Sequence, residues 1–103
     1  MDNFQFIEEA RRHYLRGDIA KARQALNKCL ELGHKDPEVF KYIGLTSIFD
    51  NNFEKARENL VRSLRTSPTD PETINGLAFL YLKQEYQKLR AHKWFRIWDR
   101  RLL

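Results

Sequence analysis

The chain has 103 residues, 42% apolar and 13% aromatic, with a net charge of +5. That length makes one domain, and that apolar content excludes a disordered chain. No run approaches the ~18 apolar residues of a membrane span. Asp2, Glu8 and Glu9 interrupt any secretory leader, and the lone Cys29 excludes an internal disulfide. A reducing, cytoplasmic setting is therefore expected. The basic charge is not spread evenly. Lys/Arg against Asp/Glu runs seven to six over residues 1–36, five to five over 37–70 and seven to three over 71–103.

The first predicted helix carries an apolar stripe at Phe6, Ala10, His13 and Tyr14. Gly17-Asp18 supplies a turn, and a second stripe follows at Ile19, Ala22, Leu26, Cys29 and Leu30. The next helix starts at Pro37, whose missing N–H costs nothing in a first turn, with Asp36 as its N-cap. Its stripe is Phe40, Ile43, Gly44, Ser47 and Ile48. Asp50-Asn51-Asn52 is turn chemistry, then Phe53, Ala56, Leu60, Ser63 and Leu64 form a fourth stripe, ended by Ser67-Pro68. A fifth helix begins with Ile74, Leu77, Ala78, Tyr81 and Leu82. A turn is expected around Gln84-Glu85, although neither Gly nor Asn stands there, and a longer sixth helix over 86–103.

These elements repeat. Lys21-Ala22-Arg23 returns as Lys55-Ala56-Arg57, and Asp36-Pro37-Glu38 as Asp70-Pro71-Glu72, each after 34 residues. Phe6 and Phe40, Leu26 and Leu60, and Leu30 and Leu64 keep the same interval. The units are 3–36, 37–70 and 71–103, with no linker between them. A fixed period of this length marks stacked helix–turn–helix units, which offer an extended concave face.

The middle unit, with Phe40, Ile43, Gly44, Ser47, Asn51, Phe53, Ala56, Leu60, Ser63 and Pro68, resembles the tetratricopeptide repeat, or TPR. The resemblance spans essentially the whole chain and weakens beyond Tyr81. It implies an all-α, right-handed α-solenoid of three repeats and about six helices in a single domain. The helix over 86–103 would act as its cap. Small residues would serve close approach: Gly44, Ala10 and Ala78 on first helices, Ala22 and Ala56 on second helices.

In that family the first helix of each unit lines a groove. The resemblance places there Phe4, Ile7, Arg11 and Tyr14, then Lys41, Tyr42, Leu45, Ile48 and Phe49, then Asn75, Phe79, Leu82 and Lys83. Large apolar residues exposed together point to a partner. The family's basic clamp for chaperone C-terminal carboxylates is not expected. Its places fall on Ile7, Arg11, Tyr42, Glu72 and Gly76, where only Arg11 has a suitable charge. An amphipathic helix or extended apolar segment fits better.

The end of the chain combines Trp94, Phe95, Ile97, Trp98, Leu102 and Leu103 with Arg96, Arg100 and Arg101. Phe95, Trp98 and Leu102 suggest a homodimer contact. The arginines could serve nucleic acid or an anionic membrane, although no recognised nucleic-acid module accompanies them. His13, His34 and His92 have no metal-ligand spacing, Cys29 sits in a small-residue packing place, and no glycine-rich phosphate loop is present. No catalysis, metal or cofactor is expected. The function expected is a protein-interaction module: an adaptor, scaffold or chaperone-like protein that captures a peptide or helix of a partner. A homo-oligomeric assembly unit is the alternative. An accessory protein for nucleic acid or membrane, using the basic tail, is a third.

Overall fold

The computed structural model describes residues 4–92. Their regular structure is entirely helical: α1 (Phe4–Leu15), α2 (Ile19–Glu31), α3 (Pro37–Phe49), α4 (Phe53–Thr66) and α5 (Pro71–Ala91).

The turns show why the first two units look alike. Gly17 and Asn51, 34 residues apart, both have positive φ, at 79° and 59°. In unit one, Gly17 N donates to Tyr14 O and Asp18 N to His13 O. In unit two, Asn51 N donates to Ile48 O and Asn52 N to Ser47 O, the same two bonds one period on. Each turn then hands over to an N-cap. Asp18 accepts from Lys21 N at 3.2 Å and Asn52 from Lys55 N at 3.4 Å, satisfying otherwise orphaned donors of the next helix.

The expected turn at Gln84-Glu85 does not form. Glu85 stands where Gly17 and Asn51 stand, and Tyr86 where Asp18 and Asn52 stand. Glutamate is costly in the left-handed conformation, and tyrosine offers no side-chain oxygen suited to capping. With neither signal present, α5 runs on for 21 residues, against 13 in α3. The described residues therefore hold five helices, not six. Residues 86–91 belong to α5, and the rest of the expected sixth helix lies outside the described residues.

Two helical hairpins, α1–α2 and α3–α4, pack side by side, and α5 lies against α3 and α4. The middle helix α3 touches the four others, while α1 does not reach α5 and α2 does not reach α4. The core follows this arrangement: Ile7, Ala10, Leu26 and Cys29 in the first hairpin, then Val39, Phe40, Ala56, Leu60 and, from α5, Leu80. Burying a side chain such as Leu26 or Leu60 contributes about 1.5–3 kcal/mol. A Cβ on Gly44 would lie 2.6 Å from Leu60 Cγ, so α3 and α4 meet closely only because that position is glycine. Ser63 completes the hairpin by donating to Pro37 O at 2.8 Å.

The stripe expected on α5 is corrected. Ile74, Ala78, Tyr81 and Leu82 are exposed, Leu77 does pack against the core, and Thr73, Gly76 and Leu80 are the buried residues. Close approach to α3 is made at Gly76, where a Cβ would stand 2.7 Å from Leu45 Cδ2, and not at Ala78.

Candidate protein-binding surface

The helices α1, α3 and α5 lie in a row, and the residues expected to line a groove divide into two sets. Tyr42, Leu45 and Ile48 are 1%, 5% and 2% exposed. They are packing residues, because α3 is enclosed by four helices and has little free surface. Leu45 closes on Gly76. The Tyr42 ring lies 5.5 Å from that of Tyr14. Ile7, named with them, is buried in the same core.

Lys41 is also enclosed. Its ammonium lies 3.3 Å from an Asp70 carboxylate oxygen, 4.0 Å from one of Glu72 and 5.1 Å from the Tyr42 ring centre. It anchors α3 to the start of α5. Asp70 caps that helix by accepting from Thr73 N at 3.2 Å and from the Thr73 hydroxyl. The Thr73 hydroxyl, with the nearby Lys41 charge, holds the Asp70 carboxyl below its ordinary range. Burial, reinforced by the Glu72 charge, pushes the Tyr42 and Tyr14 phenols up, so both stay neutral.

The second set faces outward. Arg11, Phe49, Asn75, Phe79 and Leu82 are exposed, and Tyr14 and Lys83 are half-buried. Tyr14 and Phe49 form an edge-on ring pair at 6.4 Å. Lys83 donates to Ile48 O at 3.0 Å, which places α5 beside the end of α3 that carries Phe49. What remains open is thus a band over the C-terminal ends of α1 and α3 and the middle of α5. Phe95, Arg96, Trp98, Arg100, Arg101 and Leu102 lie outside the described residues.

No protein-family model matches this chain, and no solved structure matches it.

Sequence reasoning missed the extent of the open apolar surface on α5. Ile74, Tyr81, Tyr86 and Leu89 are exposed beside Phe79 and Leu82. The signal was present in the spacing 79, 82, 86, 89, which keeps one face of a continuous helix, but it is hidden once a turn is drawn at Gln84.

A separate cleft of about 410 Å³ lies between α2 and α4, where these helices fail to meet, with Phe40 and Ile43 of α3 on its floor. Its two arginines are engaged. Arg23 pairs with Asp50 and donates to Thr46 O at 3.1 Å, and Arg62 stacks 4.1 Å over Phe40. The Arg23 contacts tie the first hairpin to the second, and the Arg62 stack holds α4 on α3. Among the described residues, no three His, Cys, Asp or Glu could hold a metal ion, and no helix is long and apolar enough to cross a membrane.

Proposed function

We propose that the chain is a TPR-like right-handed stack and a non-enzymatic protein-interaction module, working as an adaptor or scaffold. The bond-for-bond repetition of the Gly17 and Asn51 turns supports the repeat reading, as does the contact order in which each hairpin meets only its neighbour. We place it in the cytoplasm, where Cys29 stays a thiol.

The observation that carries the function is the exposure of Phe49, Phe79 and Leu82 on adjoining helices. An apolar band of this kind draws its affinity from burial and fits the apolar side of an amphipathic helix or an extended apolar segment. Arg11 at its edge favours an acidic residue beside the partner's apolar anchors. The test is affinity capture from the source cell with wild type, Phe49→Asp and Phe79→Asp, read by mass spectrometry. Both positions are exposed, so far-ultraviolet circular dichroism should not change. Specific partners should be lost from both variants. Equal capture by all three proteins would refute the reading.

A further inference from the structure

We propose that the outer face of α5 is a homodimer interface, in which a second copy of this chain packs α5 against α5 about a two-fold axis. The proposal shares Phe79 and Leu82 with the capture reading but does not depend on capture.

The position of Phe79 in the repeat is the first argument. It stands 34 residues after Leu45, and Leu82 stands 34 after Ile48. In α3 those places are covered, Leu45 by α5 at Gly76. In α5 the corresponding side chains are 54% and 64% exposed, with Leu89 at 54% on the same stripe. Ile74 and Tyr81 continue the apolar surface to one side. An apolar stripe of this length on an exposed helix face marks an interaction surface.

The chemistry of the two ends of the row then selects the occupant. The exposed side of α1 sets Glu8, Arg11 and Arg12 among its exposed apolar residues Phe4 and Leu15. A copy stacked head to tail would press these charged groups into the apolar face of α5 and strip them of water. The surface that matches α5 is α5 itself, and an isologous pair closes on two copies instead of growing into a fibre. The spacing allows a register. An antiparallel pairing centred at Gln84 sets Phe79 of one copy opposite Leu89 of the other, and Leu82 opposite Tyr86. Charges near the axis are already engaged: Glu85 by Lys88 at 3.2 Å, and Lys83 by Ile48 O at 3.0 Å.

The area is adequate. A half-exposed large apolar side chain presents roughly 100 Å². The exposed apolar groups of α5 and their polar rim then bury on the order of 1,200 Å² over both copies, the lower edge of stable interfaces.

The full chain, measured by light scattering at high micromolar concentration, should show twice its 12.4 kDa mass. Phe79→Glu alone and Leu89→Lys alone should each be monomeric with unchanged helical content. An equimolar mixture of the two should regain the dimer, because opposite charges then meet across the register. Leu15→Glu, exposed on α1, should remain dimeric. A wild-type monomer overturns the proposal, including the case in which Phe79→Glu lowers the melting temperature because residues 93–103 cover this face. A dimer indifferent to both α5 substitutions, or a mixture that stays monomeric, also overturns it. The capture reading fails separately, when Phe49→Asp and Phe79→Asp retain the partners of wild type.

Discussion

Gly44 and Gly76 both sit where α3 meets a neighbour, yet they differ in what an added methyl would strike. At Gly44 it would meet Leu60 Cγ at 2.6 Å and the Ala56 backbone oxygen at 3.0 Å. Leu60 is fully buried and the carbonyl belongs to α4, so neither yields cheaply. The overpacking penalty of about 1–3 kcal/mol then outweighs the helix-propensity gain of about 0.5–1 kcal/mol. At Gly76 the close atom is Leu45 Cδ2 at 2.7 Å, the end of a flexible side chain, with the next contact at 3.5 Å. A rotamer change relieves it. Gly44→Ala should therefore lower the urea midpoint clearly, while Gly76→Ala should stay within about 1 kcal/mol of wild type. Equal losses would refute the distinction. Gly44 was legible as a packing residue because it repeats the small-residue place of Ala10. Tyr42, Leu45 and Ile48 were legible as apolar but not as buried. Side-chain type does not reveal which neighbour covers it, and a helix touched by four others leaves little open. Lys41 misled for a related reason: its partner Asp70 stands at the cap of α5, beyond the whole of α4, and no local spacing links the two.

At the scale of the element, α5 shows how two residues decide a helix boundary. The other units combine a left-handed residue with a capping oxygen, and α5 has neither. Introducing both, as Glu85→Gly with Tyr86→Asp, should break the helix there. Carbon-13 secondary shifts at 84–86 should lose helical values, and amide exchange over 86–91 should accelerate. An unbroken helix in the double variant would show that packing, not turn chemistry, sets the length of α5. The missing signal could be read in the sequence, but the period argued for a turn. The local rule overrides the period because a turn must be formed by its own residues, whatever the earlier units do. The outward apolar stripe of α5 follows from the same fact, since its residues share a face only if the helix is continuous.

The whole molecule was the most legible level in one respect and the least in another. The recurrence of Lys-Ala-Arg and Asp-Pro-Glu anticipates hairpins in sequence, because identical turns produce identical hairpins. The outer face of α5 could not be anticipated, since the places that are covered in α3 stand exposed there among the described residues. With α1 remote from α5, and α2 from α4, the first hairpin meets the rest of the described fold only through α3, while α5 docks on α3 and α4. Cooperativity should then run along the row and weaken toward its ends.

Cys29 turns that weakness into a measurable time. It is fully buried within the first hairpin, and burial also raises its thiol pKa. A thiol reagent can reach it only when that hairpin opens, so labelling is a clock for a local event that bulk unfolding averages away. Leu26→Ala, which removes about 2–5 kcal/mol from the same hairpin, should speed the clock by orders of magnitude. Phe79→Glu, at the far end of the row, should leave it unchanged, and a common acceleration would mean that the molecule opens as a single unit.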